Sequence, residues 1–152
     1  MRACRRDLAI AYLSFAAATL AIGCGKAEQQ DGRRASGIMT VLGLEYGDYL
    51  ATHRNAPPAE LAQFRTFIES RPQKMAEYRV ASIDDLFTSP RDSQPIQVVC
   101  GVAKPVLDAG GFALAAYEAT GVDGKRLVAN IRGGVSELSA ADFAQTFPND
   151  VR

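Results

Sequence analysis

The sequence predicts an α+β fold, with helices first and a hairpin-linked antiparallel sheet afterwards. Three observations predict it. Apolar residues recur at three- and four-residue steps from Ile38 to His53; apolar segments separated by glycine-containing turns fill residues 96–138; a hydroxyl-capped helix signal at Ser139 closes the chain.

The first element is a leader. Arg2, Arg5 and Arg6 make a basic start, Leu8 to Ile22 carry no charge, and Ala21-Ile22-Gly23-Cys24 ends the run. The apolar run is shorter than the ~20 residues a spanning helix needs and matches a signal h-region. Small residues before a cysteine suit a lipoprotein signal peptidase, so residues 1–23 read as a lipoprotein signal peptide and Cys24 as the lipidation site, carrying diacylglycerol and palmitate. An uncleaved anchor and a later cleavage giving a fully soluble product are the competing readings. Arg5-Arg6 leaves Sec and twin-arginine export both open. Residues 24–37 are polar and charge-rich without apolar periodicity, and read as a flexible tether of about 20 Å. Residues 38–152 then form one globular domain.

Ile38, Val41, Leu42, Tyr46, Tyr49, Leu50 and His53 share one face of a helix over about 38–54, with Glu45, Asp48 and Arg54 elsewhere. Gly43 and Gly47 each cost about 1 kcal/mol against alanine, which a close neighbour such as a sheet surface would justify. Asn55-Ala56-Pro57-Pro58 stops this helix, and Pro58 to Glu60 start a second short one with Leu61, Phe64, Phe67 and Ile68 as its stripe. Tyr78–Ile83 reads as a short strand, and Ile83–Phe87 as a turn burying two apolar anchors. Strands are predicted at 96–102, 112–119, 126–132 and 135–138, within a sheet of three to five strands. The hairpins fall at 120–125, around Asp123-Gly124, and at Gly133-Gly134. Ser139 with Asp142 three residues on caps a short C-terminal helix carrying Ala141, Phe143, Ala144 and Phe147.

Charge and cysteine content bound the chemistry. The 17 basic and 17 acidic side chains balance; without the leader 14 basic and 16 acidic remain, a formal charge of −2. That gives no concentrated basic face for nucleic acid. Of three cysteines, Cys4 leaves with the leader and Cys24 takes lipid, so Cys100 has no internal disulfide partner. Cys100 sits in the apolar run Ile96–Val102 and reads as a small buried hydrophobe.

A Cys100–His53 pair is the minimal nucleophile and base, but His53 reads better as a helix C-terminal residue facing the negative end of the dipole. The single histidine cannot make a zinc site. Asp84, Asp85 and Asp92 lack the glycine-turned loop of a calcium site and read as a solvated acidic loop. Gly110-Gly111 and Gly133-Gly134 are turn glycines, not a phosphate loop. No catalytic residue, metal site or cofactor is assigned.

The segment Leu42-Gly43-Leu44-Glu45-Tyr46-Gly47-Asp48-Tyr49-Leu50-Ala51-Thr52-His53-Arg54-Asn55-Ala56-Pro57-Pro58 resembles the opening of prepilin-like domains, through Leu44, Tyr46, Tyr49, Thr52, His53 and both prolines. Ala116-Tyr117-Glu118 and Gly133-Gly134-Val135, followed by Leu138, Ser139 and Phe143, resemble the closing hairpin of the same group. That group includes pseudopilin-like proteins with an H-x9-D-G signature and small lipoproteins with a shortened version. Two positions depart from it: Gly133-Gly134 stands for Asp-Gly, and Asp123 for the histidine. The resemblance implies a pilin-head-like domain, an N-terminal helix laid on an antiparallel sheet, with lipid in place of the pilin's long apolar helix. It brings no activity to particular residues.

These readings point to an exported, lipid-anchored envelope protein facing the periplasm or the outside. Its domain is a non-catalytic structural or interaction module with an envelope or secretion-assembly partner. The alternative is a small-ligand-binding or enzymatic domain with a pocket between helix and sheet, lined by Tyr46, Tyr49, Tyr78 and Tyr117.

Overall fold

The computed structural model describes residues 24–148, so the leader 1–23 lies outside the described residues. The order of elements is α1 (Cys24–Thr52), α2 (Leu61–Glu69), α3 (Pro72–Glu77), α4 (Ile83–Leu86), β1 (Ile96–Val98), β2 (Leu114–Glu118), β3 (Lys125–Asn130), β4 (Val135–Ser139) and α5 (Ala140–Thr146). The four strands pair antiparallel in the order β1-β2-β3-β4, and α1 packs across β2 and β3. The class is α+β.

α1 corrects the flexible tether at 24–37. Among the described residues the helix is continuous over the 29 residues Cys24–Thr52. Lys26, Ala27, Glu28, Gln29, Gln30, Arg33, Arg34 and Ala35 are strong helix formers, and Ala35 is already fully buried, one turn ahead of Met39. From there Ala35, Met39, Leu42, Tyr46 and Tyr49 form the buried stripe in alternating steps of four and three. Ile38, Val41 and Leu50 flank it half-buried, while His53 is exposed.

Gly43 and Gly47 are explained by close approach. A Cβ on Gly47 would meet the Ile131 carbonyl oxygen at 2.6 Å, and one on Gly43 would run into the Asn130 carbonyl oxygen. The helix therefore sits backbone to backbone on the end of β3. Ala115, Ala116 and Ala129 belong to the same core and keep the sheet thin beneath it. The β2–β3 register shifts between Leu114 and Ala116, a bulge. It turns both Ala115 and Ala116 to the α1 core while Leu114 joins the opposite face.

That opposite face carries a second core. Val99, Leu114, Val128, Phe143 and Phe147 are buried there, with Tyr117 and Leu138 against them. α5 supplies the two phenylalanines, and Ser139 caps it by accepting from the Asp142 N–H at 3.2 Å.

The hairpins match their turn residues. Asp123 and Gly124 both have positive φ (51° and 71°), with Val122 and Lys125 exchanging backbone hydrogen bonds at 2.9 Å. Gly133 (φ 77°) turns β3 into β4.

The middle differs from the sequence reading. Residues 78–83 form no strand: Arg79 is left-handed (φ 56°) and closes α3, whose Pro72 occupies its first turn. Ser82 then caps α4, accepting from the Asp85 N–H at 3.2 Å, and Leu86 and Phe87 are the two buried anchors. β1 ends at Val98, because Val99 bonds β2 only once more, through the Ala115 carbonyl, before Gly101 (φ 65°) turns away to donate to the Pro58 carbonyl. Cys100 thus lies outside the strand and is half-buried.

Candidate functional site

Cys24, the predicted lipidation site, lies in α1 at the limit of the described residues. The predicted anchor position and the core stripe therefore share one helix. Among the described residues no helix is long and apolar enough to cross a membrane.

Two buried carboxylates organise the polar interior, and both were missed as interior groups. Glu45 is 0% exposed, a correction to its placement off the buried face. Arg71, at the start of α3, donates to Glu45 Oε2 at 2.7 Å and to Asp48 Oδ2 at 2.5 Å. Glu45 Oε1 has no hydrogen-bond partner among the described residues. Burial raises the Glu45 pKa, against the lowering effect of Arg71. The guanidinium also covers the Phe67 ring, 4.8 Å from its centroid. One arginine thus ties α1 to the α2–α3 junction.

Glu118, at the end of β2, is equally buried. It accepts from Ser89 Oγ at 2.7 Å, from the Leu127 N–H at 2.9 Å and from Arg91 at 3.2 Å. Arg91 reaches on to Glu137 at 3.0 Å. Every acceptor here is occupied by a structural partner, so the group joins the 88–95 loop to the sheet. An open groove of about 860 Å³ runs beside it, between the first turns of α1 and the β3–β4 edge, with Glu28, Asp31, Asp123, Lys125 and Glu137 on its walls.

The four tyrosines do not converge. Tyr46 and Tyr49 belong to the α1 core, Tyr78 packs at its margin, and Tyr117 lies in the second core across the sheet. Tyr46 donates to the Val99 carbonyl at 2.6 Å, which fixes the β1–β2 connection to α1. Above this bond lies a cavity of about 210 Å³, walled by Leu50, Val102, Pro105 and Leu114, with Asn55 among its lining residues.

Cys100 and His53 form no dyad. His53 stacks on Tyr49, centroids 3.9 Å apart and planes 7° from parallel, and its Nδ1 lies 2.8 Å from the Tyr49 carbonyl oxygen. That contact places it at the helix C-terminus. Burial pushes the Cys100 thiol up, and Glu60 adds to the effect, the reverse of an activated thiolate. The acidic loop also disperses. Asp84 pairs with Arg65, whereas Asp92 accepts from Gln94 N and Gly121 N. Among the described residues no three His, Cys, Asp or Glu side chains are placed to hold a metal ion. Gly110 and Gly111 belong to a turn whose Asp108 accepts from the Gly110 and Phe112 N–H groups at 2.9 Å.

Comparison with family models, with curated proteins and with solved structures gives no match.

Proposed function

We propose that this chain is an exported envelope protein, lipid-anchored at Cys24, whose domain is a non-catalytic structural or protein-interaction module. The observation that carries this reading is the continuity of α1, which places the proposed anchor position Cys24 in the same helix that organises the core. A leader ending in a small residue before Cys24 supplies the lipid chemistry. The ionisable groups at the centre of the domain are engaged in joining elements: Glu45 to Arg71, Glu118 to Arg91 and Ser89.

The surface offers apolar contacts. Leu107 and Phe112 are 53% and 39% exposed on either side of a turn that Asp108 ties to Asn130 by a 2.6 Å bond. Such a fixed apolar tip suits a protein partner. The helix laid over a four-stranded meander supports the resemblance to prepilin-like domains, with the lipid taking over the pilin helix's anchoring role.

Two measurements test this. Cys24→Ala stops incorporation of radiolabelled palmitate; continued labelling assigns the lipid elsewhere. Crosslinking in intact cells followed by affinity capture recovers a specific envelope partner that Leu107→Ser with Phe112→Ser loses. Capture that the double substitution leaves unchanged removes the interaction reading of this tip.

A further inference from the structure

We infer that the cavity between the C-terminal end of α1 and the β1–β2 connection binds a free, compact, uncharged molecule, largely apolar and carrying one polar group. Four observations carry this. The cavity measures about 210 Å³, and an apolar protein cavity of about 150 Å³ is enough to hold benzene. The available space therefore fits one ring with a few further heavy atoms. Its walls are side chains without charge, Leu50, Val99, Val102, Pro105 and Leu114 among them, so an ion entering it would lose its hydration without a counter-charge.

Polar recognition comes from one residue. Tyr46 already donates its hydroxyl proton to the Val99 carbonyl. Asn55 is the other polar lining residue. It sits in the left-handed region (φ 62°), with its N–H bonded to the Leu50 carbonyl at 2.8 Å. Its amide has no side-chain bond among the described residues and can bond the polar group of a guest.

The walls are tied down before any guest arrives. Tyr46 fixes Val99, and the Gly101 N–H fixes the connection to Pro58 at 2.9 Å. The chain's own lipid does not reach: Tyr46 is 22 residues along α1 from Cys24, about 33 Å at 1.5 Å per residue, whereas acyl chains fill about 15 Å of a leaflet. The inference stands independently of the anchor and of any partner.

Indole is a suitable probe, because it has the size of the cavity with one N–H to bond, and the chain has no tryptophan to mask it. With the full-length protein in lipid vesicles, equilibrium dialysis against protein-free vesicles of the same composition reads the indole held on the protein, since no tryptophan adds to its emission. The expected result is a saturable signal in the parent protein, abolished by Ala103→Phe, an exposed lining position where a large side chain can be placed from the loop. Asn55→Gly keeps the backbone conformation and removes the amide. It weakens indole by about 2- to 10-fold, the worth of one hydrogen bond, and leaves N-methylindole unchanged. Circular dichroism checks that each variant is folded, and Ala113→Leu fills the same space from β2's side if Ala103→Phe is not. A signal that rises linearly with indole and is equal in parent and filled variants reports partition into lipid and overturns the proposal. Equal weakening of indole and N-methylindole by Asn55→Gly overturns the assignment of the polar contact.

Discussion

Gly43 and Asn130 meet backbone to backbone: a Cβ on Gly43 would lie under 3.0 Å from the Asn130 carbonyl oxygen. The obstacle is main chain, which cannot swing aside as a long side chain does. Gly43→Ala is therefore expected to destabilise by about 1–3 kcal/mol, although alanine ordinarily gains about 1 kcal/mol over glycine in a helix. Gly32, on the same helix, has nothing within 4 Å of its position for a Cβ. Gly32→Ala should stabilise. Denaturant midpoints of the two variants, moving in opposite directions, check the claim.

Glu45 gives a pH dependence of defined sign. Its folded pKa is raised above the ordinary carboxylate value by burial, so the folded state holds this proton more tightly than the unfolded chain. Stability from this group is complete below the unfolded value of 4.5 and is lost as pH rises through the folded value. Glu45→Gln, an isostere of the protonated form, should raise the melting temperature at neutral pH, and the gain should shrink towards pH 4. Melting curves of both proteins across that range check it; a constant difference would count against the buried-carboxylate account.

Removing the partner acts in the opposite direction. Arg71→Met removes the nearer counter-charge of buried Glu45, leaving only the more distant Lys74, and leaves Asp48 without its ion pair. The expected loss is about 3 kcal/mol at neutral pH. The double variant with Glu45→Gln should recover much of it, which a double-mutant cycle in urea measures.

Cys100 should be a slow thiol. Its pKa is raised by burial and by Glu60, and the thiolate is the reactive form. A disulfide reagent at neutral pH is expected to label the folded protein at least about tenfold more slowly than the unfolded chain. Rates equal in the two states would show an accessible, unperturbed sulfur.

Much of the fold was legible because one physical period dominated each element. Leu42, Tyr46 and Tyr49 marked the face of α1, Asp123-Gly124 marked a tight hairpin, and Ser139 with Asp142 marked the start of α5. Gly43 and Gly47 announced a close neighbour, which is the end of β3. Glu45 was not legible, because the residue that makes its burial tolerable, Arg71, lies 26 positions away on another helix. The same holds for Glu118, whose partners Ser89 and Arg91 sit in a loop with no periodicity. Residues 24–37 misled through composition: polar residues with good helix propensity look like coil until Ala35 is seen buried. Tyr78–Ile83 reads as a short strand in a segment of scattered charges without clear periodicity, but the left-handed Arg79 ends a helix there instead. The cavity beside Tyr46 is assembled from four separate segments, and no local pattern encodes it.

The unbroken α1 changes what the proposed attachment at Cys24 would mean. Twenty-nine residues at 1.5 Å each make a rod of about 43 Å, whose part from Ala35 onward is packed into the core. A coil ahead of Ala35 would let the domain tumble within a sphere around a lipid at Cys24. A helical stem there would carry the domain as a rigid extension, so a tilt at the point of attachment would sweep the Leu107–Phe112 tip through an arc. Encounter with a neighbour would then be set by an angle rather than by a distance.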